Sequence, residues 1–385
     1  MGRLCVAPVL MAILGAAPSV AQSPLALSSE IETGWTSNAT DSAAGGADFY
    51  VTHSHDMSLT GQTGNLLLRG SLAMSQTRLA TFRFEDDAEV TGAIEAQLAL
   101  GAAALRLGYA VTQSWTGDDL SVGGLVVPVR SPASEHEYVA EFTLRGVDQQ
   151  VVVAVTGDWV LPGESVLGGL GLPPLRLTPQ VGSVAGRIDW ERALSPNLAM
   201  LTGLEAWFTL IPEADRITYL RIPVDGGRVS AGLRVADGGW SAEGAGGLDL
   251  VWPKGLSGMI WTMPYVSVSA SVVPMAGVTL ALNAETGVEL ADPLDGAAGR
   301  TAALDLGATW LLTPDIALSA SLAAQQEWGL FDDSISRSVR TAMVGASYAV
   351  SERFTYRATL SWSRHADPGE SYDKAGIGLS LRGDF

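Results

Sequence analysis

The stretch "GLSGMIWTMPYVSVSASVVPMAGVTLALNA", residues 255–284, carries no charged side chain. A helix that spans a membrane needs about 20 consecutive apolar residues, and this is the one stretch of the mature chain long enough to be considered. Its pattern rejects a helix. From Val266 to Val273 apolar residues alternate with Ser, and Pro264, Pro274 and Gly277 interrupt the run. Period two belongs to a strand, whose successive side chains point to opposite faces.

The same alternation recurs along the chain. In Ala88 to Leu100, Val90, Ile94, Ala96, Leu98 and Leu100 share one face, and Glu89, Thr91, Glu95 and Gln97 the other. In Val278 to Leu290, six apolar residues oppose Thr279, Asn283, Glu285 and Glu289. The chain ends "AGIGLSLRGDF", with Ile377, Leu379, Leu381 and Phe385 on one side of a strand.

The breaks between these segments fall into two kinds. Eight are short, such as "GAA" at Gly101, "DGG" at Asp237 and "SER" at Ser351. Nine are long and polar. They include "SNATDSAAGGAD", the stretch Thr116 to His136, the stretch Val160 to Pro179, "ADPLDGAAG", "LFDDSIS" and "ADPGESYD". Seventeen connections alternating short and long predict an all-β fold. It is a transmembrane up-and-down antiparallel barrel of about 18 strands, or 16 if one pair is false, with tight turns on one rim and long loops on the other.

A soluble β-sandwich also alternates, but it buries the inner faces of both sheets. Glu95, Arg106, Arg187, Asp189, Glu243, Asp249, Glu285 and Asp305 would then lack water. In a wide barrel they face a wet lumen, while the apolar face meets lipid. Lipid offers backbone groups no partners, so only helices and closed barrels cross it. Phe354, Tyr356, Trp362, Trp310, Trp328, Trp240 and Trp252 sit near strand ends, as interfacial aromatics do.

Net charge is −18, which excludes nucleic acid as a partner, since phosphate binding needs basic surface. Residues 1–21 read as a signal peptide, with Arg3, an apolar run from Val6 to Leu14, and Ser19-Val20-Ala21 as the cleavage site. Residues 22–385 then form the barrel. The only cysteine, Cys5, lies in that leader, so disulfides and thiol chemistry are not expected.

The final strand resembles the C-terminal insertion signal of Gram-negative outer-membrane proteins, through Phe385, Leu381, Leu379 and Ile377. Gly383 departs from that pattern, where a bulkier residue is usual. The N-terminal part, "ETGWTSNATDSAAGGADFYVTHSHDMSLTG", is similar in general style to β-barrel porin families. The resemblance implies an outer-membrane location, with lipid, lipopolysaccharide and the barrel assembly machinery as partners. A homo-oligomer is compatible with it.

The chemistry legible in the chain is that of a pore wall. Inward-phased residues are Arg69, Glu95, Arg106, Glu141, Arg145, Arg187, Asp189, Glu205, Arg228, Arg234, Glu243, Asp249, Glu285, Asp305, Glu327 and Arg357. Acids exceed bases, so a mild cation preference is expected. Asp118 and Asp119 lie in a loop long enough to fold inward, and are expected at the constriction. The apolar loop Val160 to Pro179 is expected to shelter in the lumen.

No cofactor is expected, because no glycine-rich loop links a strand to a helix. His53 and His55 share an outward face without a third ligand, and zinc needs three or four. Ser361, Ser363 and His365 are the residues on which an outer-membrane lipid or peptide hydrolase would rest, but they match no hydrolase motif. An assembly or adhesion barrel is the other alternative. Asp118-Asp119, Asp332-Asp333 and Glu85-Asp86-Asp87 read as a solvated rim with optional divalent binding.

Overall fold

The computed structural model describes residues 25–43, 45–122, 125–169, 171–255, 258–290, 298–330 and 336–385. The signal-peptide reading, the "DPLDGAAG" tip and Asp332-Asp333 lie outside them.

The strands are β1 (Leu25–Thr36), β2 (Asp48–Thr63), β3 (Leu66–Leu79), β4 (Asp87–Leu100), β5 (Ala103–Val122), β6 (Leu125–Arg145), β7 (Gln149–Pro162), β8 (Val166–Leu167), β9 (Val181–Ser195) and β10 (Leu198–Leu210). They continue with β11 (Val224–Asp237), β12 (Trp240–Pro253), β13 (Trp261–Met275), β14 (Val278–Leu290), β15 (Ala298–Leu311), β16 (Ile316–Gly329), β17 (Ser336–Ala349), β18 (Phe354–Asp367) and β19 (Glu370–Asp384). A short helix, α1 (Glu213–Thr218), lies between β10 and β11. No helix among the described residues is long and apolar enough to cross a membrane.

All strands except the two-residue β8 pair antiparallel with their sequence neighbours, and β1 pairs β19 from Ser28↔Asp384 to Thr36↔Gly376. The sheet is therefore a closed, antiparallel barrel of 18 strands with no free edge. Closure continues past the last strand residue. Phe385 N donates to Leu27 O at 2.7 Å, and Leu27 N to Phe385 O at 3.1 Å.

Register settles which face is which. Glu30 (β1) and Arg357 (β18) approach to 3.7 Å across the intervening β19, and Arg234 (β11) reaches Glu191 (β9) at 2.7 Å across β10. Side chains meet over a skipped strand on the concave side, where they converge. The polar parity is thus the lumen, and the apolar parity, with Leu204, Leu248, Leu322, Leu360 and Leu379 exposed, is the outer wall.

Gly383 fits this wall. The rings of Phe354 and Phe385 meet edge to face at 6.1 Å, and a Cβ at residue 383 would stand 2.9 Å from the Phe385 ring and 3.1 Å from that of Phe354. A large residue there competes with the aromatic pair. Gly383→Val is expected to destabilise the barrel by about 1–3 kcal/mol, the usual cost of overpacking. An unchanged urea midpoint for the folded band would contradict this.

All seventeen connections fall between the strands where the alternation puts them, but two of the nine "long" ones are shorter than expected. β18 and β19 turn through Pro368 and Gly369 alone, with Gly369 at φ 90°. Thr116 to His136 is no loop: β5 and β6 stay paired as far as Val122↔Leu125. Asp118 and Asp119 are strand residues opposite Val129 and Pro128.

The apolar segment after β7 also differs from expectation. It packs on this extended hairpin, with β8 paired to Val129 and Arg130, Gly163 N donating to Pro132 O and Gly168 N to Pro128 O. Its far end is held by α1. Arg176 pairs with Asp215, and Gln180 N donates to Asp215 at 2.7 Å. Neighbouring rim segments, rather than the lumen, give its contacts.

Candidate lumen wall and constriction

Every inward-phased residue of the sequence reading lies on the polar parity of its strand. The register aligns many of them in one row, because each is the direct cross-strand partner of the next. Arg106 faces Glu141, Glu141 faces Ala154, Ala154 faces Arg187, Arg187 faces Glu205, Glu205 faces Arg228, and Arg228 faces Asp249. Opposite charges at such sites attract.

Most of the bases are neutralised locally. Glu95 takes both Arg69 at 3.1 Å and Arg106 at 2.7 Å. Arg187 pairs with Asp189 at 3.1 Å, and Arg234 with both Glu191 and Glu243 at 2.7 Å. Glu327 accepts from Gln325 at 2.8 Å, and Glu141 from Thr143 at 3.4 Å. Arg145 and Asp305 stand opposite Gln150 and Asn283 and pair with no opposite charge among the described residues.

In one sector the acids pair with no base among the described residues. Glu89 on β4, Glu135 and Glu137 on β6 and Asp158 on β7 share the lumen parity, and Glu137 is the direct partner of Asp158. Glu137, Asp158 and Glu89, all negative, act together on Glu135. The sequence reading named none of the four, although the same period-two count reaches them.

The wall is not a plain cylinder. The β13–β14 ladder stops at Val266↔Thr286, while β14 and β15 stay paired to Leu290↔Ala298. Beyond Thr286 the end of β14 leaves β13 and crosses its inner face. Val288 N donates to Asp249 Oδ2, on β12, at 2.9 Å. Val288 packs with Val224, Val251, Met263, Ala298 and Leu330, a buried apolar cluster on what is otherwise a wet face.

Asp249 is the anchor of this arrangement and is fully buried. It accepts Arg228 Nε at 2.6 Å and Nη2 at 3.0 Å besides the Val288 amide. The Arg228 guanidinium lies 3.7 Å from the centre of the Tyr265 ring and 5.8 Å from that of Trp207, and reaches Glu285 at 3.7 Å. Gly287 makes the crossing possible, since a Cβ there would be 2.5 Å from Arg228 Nη2 and 3.2 Å from Asp249 Oδ2. A buried ion pair is tolerable only when hydrogen bonds satisfy its remaining groups, and here the fully buried Asp249 accepts three, two of them from Arg228. The loop-side end of β14, with β15 paired to it, therefore enters the lumen.

The other chemistry considered from sequence takes ordinary roles. His55 bonds Ser29 at 3.0 Å on the outer wall, and His365 stacks on Tyr372 and bonds Ser363 at 3.1 Å in the lumen. Asp86 accepts Leu79 N at 2.8 Å and Asp87 accepts Gly117 N at 3.1 Å, so the acidic run after β3 closes a loop. No group of three metal-ligating side chains occurs among the described residues.

No family model matches the chain, and no curated protein does. Solved structures do. The copper transporter OprC superposes on 96% of this chain and 81% of its own, with TM-score 0.52 and 8% identity. The FrpB iron transporter from Neisseria meningitidis (F3-3 variant) gives TM-score 0.49 and 8% identity over 97% and 83% of the two chains. OccK9 of Pseudomonas aeruginosa gives 0.47 and 12% over 94% and 99%. At such identities the likeness is one of fold. The chain has the fold of a Gram-negative outer-membrane β-barrel, with 18 strands around a charged lumen.

Proposed function

We propose that the chain is an outer-membrane channel through which small polar solutes and ions diffuse passively, with a mild preference for cations. Barrels of this strand number enclose an aqueous channel. The observation that carries the preference is the unpaired acidic sector of Glu89, Glu135, Glu137 and Asp158, set against a wall whose arginines are largely held by carboxylates. Fixed charge in a low-dielectric cleft enriches its counter-ion. The transporter character of OprC, whose fold this chain shares, agrees with a conduit.

The test is the zero-current potential across a KCl gradient in a planar bilayer. The native chain is expected to favour K⁺, and Glu137→Gln with Asp158→Asn to lose most of that preference at similar conductance. Equal selectivity in the two would refute the acidic sector as its source.

In this reading residues 1–21 direct export and are removed, and the rim carrying α1 and β8 faces the cell exterior, as long loops do in such barrels. A cysteine at Ser42 or Glu164 is then expected to label on intact cells. Labelling only after rupture would reverse the orientation.

A further inference from the structure

We infer that the outer flank of β17 and β18, near the long-loop rim, binds the phosphates of a lipid A headgroup, that is, lipopolysaccharide of the outer leaflet. The inference rests on the orientation given above. Arg340 and Arg364 are direct cross-strand partners. Both are exposed and on the lipid-facing parity, since the next pairs down the same face are Ala342↔Trp362 and Val344↔Leu360.

Like charges directly opposite one another on a sheet are destabilising. Here no ion pair with the chain relieves them among the described residues. The neighbour of Arg340 on β16 is Ala324. Asp373 stands opposite Arg364 on β19, exposed, and forms no ion pair with it. Among the described residues Arg340 thus has no carboxylate beside it, in a protein of net charge −18.

Height on the wall identifies the anion. Arg364 lies two residues rimward of Trp362, an outward, exposed indole. Aromatics of that kind mark the boundary between acyl chains and headgroups. Two guanidinium forks, one strand spacing apart at headgroup level, match a phosphate, which each can grip in bidentate fashion. Basic clusters at this depth recognise anionic headgroups, and the outer leaflet offers them as lipid A phosphates.

The experiment uses the refolded full barrel in phosphatidylcholine nanodiscs doped with bis-phosphorylated lipid A, with bound lipid read by native mass spectrometry. R340Q/R364Q is expected to retain at least tenfold less lipid A, and R340K/R364K to keep most of it. Dephosphorylated lipid A is expected to bind the native barrel no better than the bis-phosphorylated form binds R340Q/R364Q. Both residues lie outside the lumen, so R340Q/R364Q is expected to conduct like the native chain, which also certifies its fold. Equal retention of lipid A by native and R340Q/R364Q barrels overturns the site. Loss of lipid A by the variant in a chain that never conducts would refute the channel and leave the site standing.

Discussion

Asp249→Ala is expected to lower the barrel's free energy of unfolding by about 3–5 kcal/mol, because it strands a buried guanidinium. Arg228 is mostly buried against Tyr265 and loses both of its short contacts to Asp249. The Val288 amide loses its acceptor as well. The second consequence is geometric. Among the described residues no other hydrogen bond ties the end of β14 to β12, and the apolar cluster around Val251 is left to hold it inward. Asp249→Ala is therefore expected to give larger and noisier single-channel conductance. Asp249→Asn, which keeps the shape and one acceptor oxygen, is expected to fall between. A variant with native urea midpoint and native conductance would refute the anchor.

Deletion of Phe385 is expected to reduce the yield of assembled barrel several-fold, with export unaffected. The residue supplies two backbone hydrogen bonds that close β19 on β1 through Leu27, and a ring that packs on Phe354. Without it, Leu27 N and Leu27 O lose their partners at the seam. An unpaired backbone group facing lipid costs several kcal/mol. Phe385→Leu keeps the backbone pair and the apolar surface, and is expected to recover most of the yield. The fraction of protein whose gel mobility shifts on heating measures this. Equal fractions for the native and deleted chains would contradict the role of the seam.

The barrel was legible because one rule governs the whole chain. With period two, Arg69, Glu95, Arg187, Asp249 and Arg357 each fall on the polar face from local counting alone, and the cross-strand pairs keep them on one parity. What failed were places where local composition and long-range pairing disagree. Thr116 to His136 holds Gly117, Pro128 and Pro132, residues that usually break strands, yet the hairpin persists because its flank is covered by β8 and the turn Arg83–Glu85. "ADPGESYD" is mostly polar, but Pro368-Gly369 is itself a complete turn.

The inward crossing of β14 was the least legible feature. Val288 has the parity of the lipid face, and its burial against Val251 and Met263 depends on a ladder that ends at Thr286. The local hints were Gly287 at the crossing and Asp249 beside a guanidinium one strand away, and neither names the other. The placement of Asp118 and Asp119 at the narrowest point had no such geometric partner behind it. It relied on loop length, which the persistent β5–β6 pairing removes.

The most direct test of the channel is a single-channel recording of the purified native chain in a planar bilayer, with a KCl gradient across it. Stepwise conductance, roughly ohmic, with a reversal potential displaced in the sense of K⁺ over Cl⁻, is the expected result. A barrel that is folded by its heat-shifted mobility but passes no current, or that favours Cl⁻, would contradict a conduit lined by the acidic sector of Glu89, Glu135, Glu137 and Asp158.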